Sequence, residues 1–249
     1  MIATTRHVGM AVALVSAMAF AGVASATKVT MDFDGLTGAA PVLGPGEYAA
    51  NYYNGGCGSS YSGGSVSCGG PDYGVVWSAN AVAFAQPGLT ARYTGVANAP
   101  SGTNVLGIDK NIVGQPSGIL MNVAAGFDTS LSFWYSTSAL YSGVFVTVYD
   151  GVDGTGSVLA TVNLDATAGY CVAGAQFSCW NPLTLDFDGT AHSVRFYDDL
   201  SNPRQFLLDN VSFNMSGSGP TVPEPATIGM FGLGALLIGL FVGLRRRFG

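Results

Sequence analysis

Charge and histidine are what this chain has least of. Only 10% of its 249 residues are charged, two are histidine, and thirteen of its fifteen acids are Asp, leaving Glu47 and Glu224 as the only glutamates. Between residues 27 and 244 the basic residues are Lys28, Arg92, Lys110, Arg195 and Arg204, set against fourteen acids once Glu224 is put aside, a net of −9. A polyanion is repelled by such a body, and no basic cluster is present to contact phosphates, so nucleic acid is excluded as a partner. His192 is the single histidine after the N-terminal segment, and no serine sits in a G-x-S-x-G elbow. Glycoside hydrolysis needs two carboxylates at a set separation. The pairs on offer read otherwise: Asp186 and Asp188 alternate along one strand face, and Asp198-Asp199 reads as a turn. Glycine-rich stretches do not follow a strand and open a helix, which excludes phosphate loops. A non-catalytic protein is expected.

A sustained helical period is also missing from residues 27 to 214. In its place, short alternating runs recur between Gly, Asn, Asp and Ser clusters: Lys28 to Asp34, Val75 to Phe84, Ser130 to Ser136, Val144 to Asp150, Val158 to Leu164, Leu183 to Phe187, Ser193 to Asp198 and Phe206 to Phe213. The thirty-six glycines and the preference for Asp over Glu fit a turn-rich chain, because Asp bonds its own backbone in turns. One hairpin is legible, GVFVTVYD and SVLATVNL joined through Gly151-Val152-Asp153-Gly154-Thr155-Gly156. The expected fold is all-β, a single two-sheet sandwich of jelly-roll type over residues 27–214.

Long uncharged runs are confined to the two ends. Arg6 and His7 precede an apolar stretch from Val8 to Val23, and Ala24-Ser25-Ala26 has the small-residue pattern that signal peptidase reads, so residues 1–26 are expected to be a removed signal peptide. Residues 215–221, with Ser216-Gly217-Ser218-Gly219, read as a flexible stalk. From Ile228 to Leu244 no charge occurs, and at 1.5 Å per residue this stretch covers roughly 25 Å, near the short limit for a transmembrane helix. Arg245, Arg246 and Arg247 follow directly and are expected to hold the C-terminus inside.

The order of parts in residues 222–249, Val222-Pro223-Glu224-Pro225, then the apolar run, then the arginines, resembles the PEP-CTERM sorting signal of exopolysaccharide-producing Gram-negative bacteria. The resemblance implies a membrane-embedded exosortase that recognises Pro223, Glu224 and Pro225, cleaves near them, and releases or transfers the protein. The membrane helix is then a transient anchor on the way to the cell surface or extracellular matrix. The body resembles jelly rolls found among such proteins and among carbohydrate-binding modules, through VTMDFDGL, PDYGVVWSANAVAF and QFLLDNVSF. That likeness implies a structural Ca²⁺ between the first and last strands, held by Asp34 and Asp209, with Asp32 as a further ligand.

Four cysteines leave none over in an exported chain. Three connectivities are open; Cys57 with Cys68 and Cys171 with Cys179 is preferred, since each closes a short loop, and these spacings are unlike those of zinc sites. Around them gather Tyr48, Tyr52, Tyr53, Tyr61, Tyr73 and Trp77, with Tyr170 and Trp180 at the second pair. Aromatic faces suit sugar stacking, and Tyr52, Tyr53 and Trp77 are the candidate glycan contacts. The leading expectation is a structural surface or matrix protein associated with exopolysaccharide. The alternative is a carbohydrate-binding module acting through these loops, and the third is a polysaccharide-active enzyme.

Overall fold

Alternation of apolar and polar side chains drives a strand to bury one face, as Lys28–Met31 does, and the computed structural model shows eleven strands among the residues it describes. It describes residues 27–36, 46–60, 62–86, 95–109, 118–137, 143–167, 170–198 and 206–216. The expected signal peptide, the chain from 217 onward and Tyr61 lie outside these. Among the described residues no helix is long and apolar enough to cross a membrane.

The strands are β1 (Lys28–Met31), β2 (Cys57–Ser59), β3 (Ser65–Cys68), β4 (Val75–Trp77), β5 (Ala81–Ala85), β6 (Asn104–Ile108), β7 (Gly118–Thr137), β8 (Val144–Tyr149), β9 (Val158–Leu164), β10 (Asn181–Asp198) and β11 (Phe206–Met215). All pairings between these strands are antiparallel, and an isolated parallel bridge joins Val96 to Phe177. β2 and β3 form a small hairpin, and the other nine strands join in one ladder, ordered β5-β6-β11-β7-β10-β8-β9, with β1 on β11 and β4 on β7.

That ladder folds into two layers because its two longest strands pass from one to the other. The first part of β7 (Ile119 to Val123) pairs with β4 and with the last part of β10, which also carries β8. The remainder of β7 pairs with β11 and with the first part of β10. Register breaks between Asp186 and Thr190 and between Ala191 and Ser193 mark the crossing. Gly126, Thr129 and Gly189 take positive φ there (82°, 69° and 93°), the backbone signature of bulges that bend a strand. The layers meet at Phe133 of β7, edge-on to Phe196 of β10 with centroids 5.4 Å apart. Trp77 of β4 packs against both Phe196 and Phe33.

Several expected strands are redrawn. The run Val75 to Phe84 splits into β4 and β5 around a turn, where Ala81 N–H donates to the Ser78 carbonyl and the buried Asn80 side chain donates to Gly118 O at 2.9 Å. Leu183 to Phe187 and Ser193 to Asp198 are one strand, and β7 is far longer than Ser130 to Ser136. Both differences arise at the bulges, which interrupt alternation without ending pairing. The hairpin of β8 and β9 forms as expected, with the Asp150 carboxylate accepting Ser157 N–H at 2.6 Å across its mouth.

The body runs slightly past residue 214: Met215 is buried in β11, its N–H donates to Thr27 O at 3.0 Å, and Ser216 N–H donates to Gly126 O. The first and last described segments therefore lie side by side, which sets both chain ends of the sandwich at one place.

Candidate functional site

Trp134 occupies the outward side of β7, between the buried Phe133 and Tyr135, on a face otherwise built from Ser130 and Ser132. Beside it two loops converge. The segment 95–104 and the disulfide loop Cys171–Cys179 are joined by hydrogen bonds from Ala97 N–H to Phe177 O (3.1 Å) and from Phe177 N–H to Gly95 O (2.6 Å). The Trp180 indole N–H donates to Ala97 O at 3.0 Å, which fixes the angle of its ring. Among the described residues, this meeting leaves an open cleft of about 520 Å³ lined by Asn98, Pro100, Trp134, Ser178, Trp180, Asn181 and the disulfide. Both tryptophans are half-buried, while Asn98 and Asn181 are exposed. Two flat aromatic faces with side-chain amides at their rims can stack on sugar rings and bond their hydroxyls.

Two of the three expected glycan contacts are elsewhere and buried. Tyr53 and Trp77 are each only 2% exposed. The Tyr53 hydroxyl accepts Phe33 N–H at 2.8 Å, and burial drives its pKa far above the ordinary phenol range. Trp77 is a core side chain between the layers. Tyr52 is half-buried, edge-on to Tyr53 at 5.0 Å, and its hydroxyl crowds the α-carbon of Gly35 so closely that a methyl there would clash. Irregular segments carry no period that separates inward from outward aromatic residues, so the tyrosine-rich loop read as a surface. Trp180 was in view from the sequence; Trp134 was missed, although a tryptophan on a serine face was the available signal.

Both expected disulfides, Cys57–Cys68 and Cys171–Cys179, are present. The first closes the β2–β3 hairpin over Glu47, which is 1% exposed. Its Oε2 accepts the Ser67 hydroxyl at 2.7 Å, while Oε1 has no partner among the described residues and lies where a side chain on Gly58 would stand. Burial raises the Glu47 pKa, and the Ser67 bond opposes this in part. Because the carboxyl is raised in the folded state, its contribution to stability is greatest in acid and declines as pH climbs through the raised value. Glu47→Gln is expected to flatten stability against pH upward from the ordinary carboxylate range and to stabilise the neutral-pH protein. Chemical denaturation across that range checks it; an unchanged slope would refute it.

Asp34 and Asp209 are brought to one place, the loop 101–104. Asp209, fully buried, accepts Ser101 N–H (2.9 Å), the Ser101 hydroxyl (2.8 Å) and Asn210 N–H (2.7 Å). Asp34 accepts Thr103 N–H (2.6 Å) and Asn104 N–H (2.9 Å). Asp209 is pushed up to about 6, first by burial, with the nearby Asp34 carboxylate adding to the rise against its hydrogen bonds. Asp32 is exposed and accepts Asp34 N–H. Among the described residues no group of three or more His, Cys, Asp or Glu is gathered as for a metal. Two carboxylates are the donor type a hard cation takes, though four N–H groups and the Ser101 hydroxyl would have to share or release their oxygens for it to bind. Asp34 and Asp209 would then hold Ca²⁺. The expected outcome is that saturating Ca²⁺, at about 100 times its Kd, adds about 2.7 kcal/mol, with the increment lost in Asp34→Asn. Thermal unfolding with Ca²⁺ and with EDTA measures it, and equal midpoints would remove Ca²⁺ from the site.

His192 is held within the sheet, its Nδ1 donating to Asp150 O at 2.8 Å, and Asp186 and Asp188 are exposed on either side of the buried Phe187. Asp199 lies outside the described residues, as does the side chain of Asp198.

A disulfide-stapled β-sandwich bearing an aromatic cleft, with its C-terminal strand leading to a sorting tail, is thus the class of protein in hand. Residues 221–247 match the PEP-CTERM protein-sorting motif, which includes Pro223, Glu224, Pro225 and Arg245 to Arg247. The motif marks an exported, surface-directed protein and implies handling by exosortase. Comparison with curated protein sequences finds no match. Among solved structures the chain is similar to the K2 adhesin domain of Lys-gingipain (13% identity, TM-score 0.44, covering 76% of this chain and 100% of that one). It is also similar to the K1 adhesin domain of Lys-gingipain from Porphyromonas gingivalis W83 (16%, 0.39, 76% and 99%). A third is a family 6 carbohydrate-binding module from Clostridium stercorarium in complex with cellobiose (15%, 0.31, 56% and 85%).

Proposed function

We propose that this protein is exported by a signal peptide, processed by exosortase at its Pro-Glu-Pro tail, and held in the exopolysaccharide of the cell surface or matrix by a non-catalytic sandwich body. The single observation carrying the polysaccharide part is the cleft, in which Trp134 and Trp180 present aromatic faces beside the exposed amides of Asn98 and Asn181. This moves the carbohydrate-binding reading ahead of the purely structural coat, whose support was compositional. Affinity electrophoresis of the body through gels containing the host's own exopolysaccharide tests it. Retardation that is lost in the Trp134→Ala, Trp180→Ala double variant supports the reading, and equal migration of both proteins with and without polysaccharide sinks it.

A further inference from the structure

We infer that the cleft selects an uncharged glycan and discriminates against chains bearing uronate or sulfate. The inference rests on the glycan-binding reading above and adds the class of sugar. Its first ground is where the amide hydrogens of the cleft wall go. Anion sites in loops are made from backbone N–H groups turned outward together. Here four amides of the segment behind Asn98 and Pro100 turn away from the cleft, and Pro100 has none to offer: Ala97 N–H goes to Phe177 O (3.1 Å), Ala99 N–H to Gln86 Oε1 (3.2 Å), Ser101 N–H to Asp209 (2.9 Å) and Thr103 N–H to Asp34 (2.6 Å). Asn104 N–H also goes to Asp34.

The side chains repeat the pattern. The Trp180 indole N–H is spent on Ala97 O, and the Ser178 hydroxyl donates to Ala175 O while accepting Val172 N–H. Among the described residues, what stays free at the rim is the pair Asn98 and Asn181, each side-chain amide offering donors and an acceptor together. A sugar hydroxyl, itself donor and acceptor, matches such a group. A carboxylate or sulfate uses only the donor half and sets its charge against the acceptor.

The second ground is charge. Among the described residues no lysine or arginine lines the cleft, and the body as a whole carries the net −9 of its sequence, so an anionic chain is repelled at long range and finds no cationic partner at contact.

The test is a matched pair of polymers with one backbone, hydroxyethyl cellulose and carboxymethyl cellulose, extended to neutral and uronate-bearing forms of mannan and galactan, with the folded body titrated at low and high salt. The neutral member of the bound pair is expected to bind at least about tenfold more tightly at low salt, the gap narrowing as salt screens the repulsion. Asn181→Lys, at an exposed position, is expected to shift the charged-to-neutral affinity ratio about fivefold toward the charged polymer. Equal or tighter binding of the charged members at low salt overturns the inference while the glycan-binding reading stands. Failure of every polymer, and of the host exopolysaccharide, takes away the reading itself.

Discussion

Trp77→Ala is expected to destabilise the body by about 3–5 kcal/mol and leave the glycan affinity of the folded protein unchanged. The side chain is 2% exposed, spans the layers between Phe33 and Phe196, and belongs to a short strand paired only through Val75 to Trp77. Its indole N–H has no hydrogen-bond partner among the described residues, so truncation sacrifices packing and transfer free energy alone. Neighbouring aromatic rings, themselves fixed by other contacts, collapse only partly into the vacated space, which puts the loss at the upper end of core truncations. Trp77→Phe retains much of the ring and is expected to lose less than half as much. Urea denaturation gives the stabilities, and titration with neutral polysaccharide under native conditions gives the affinity. A Trp77→Phe protein that is well folded yet does not bind would return Trp77 to the binding site.

The opposite pattern is expected at the cleft. Trp134→Ala should lower glycan affinity about thirtyfold, roughly 2 kcal/mol, while stability moves by no more than about 1 kcal/mol. Trp134 is half-buried on an outward face, so its removal exposes little that was dry. Trp180 is more entangled, since it packs on the small cluster of Val96, Val105 and Leu207 and bonds Ala97 O. Trp180→Phe separates those roles by keeping a ring while losing the N–H that sets its angle. An affinity loss there, with an unchanged unfolding midpoint, would show that ring orientation matters as well as ring presence. If neither tryptophan alters binding, the sugar-binding surface lies elsewhere.

The sorting tail was legible because targeting machinery reads a linear string, and all of its parts lie within residues 221–247. The β8–β9 hairpin was legible for a related reason, that its turn chemistry is contained in six consecutive residues. Both disulfides join cysteines close in sequence, at separations of 11 and 8, so chain connectivity already held the partners near each other. The strand boundaries that went astray are those at bulges. A bulge is a property of two paired strands, and Asp188-Gly189-Thr190 looks like a turn until the partner strand is known.

Asp34 and Asp209 came from the resemblance, and the structure does bring them together, but through a loop, 101–104, that carried no sequence signal. Tyr53 and Tyr52 are adjacent in an irregular segment, yet one is core and the other half-buried, a distinction set by how the loop closes over Phe33. The sequence by itself determined what local chemistry specifies: an all-β body, a sorting tail and a net charge that repels polyanions. Only the tertiary structure decided which aromatic residues face outward and what stands beside them. The cleft assembles from residues near 98, 134 and 180, and their meeting depends on two long strands bending at bulges to bring distant loops into contact.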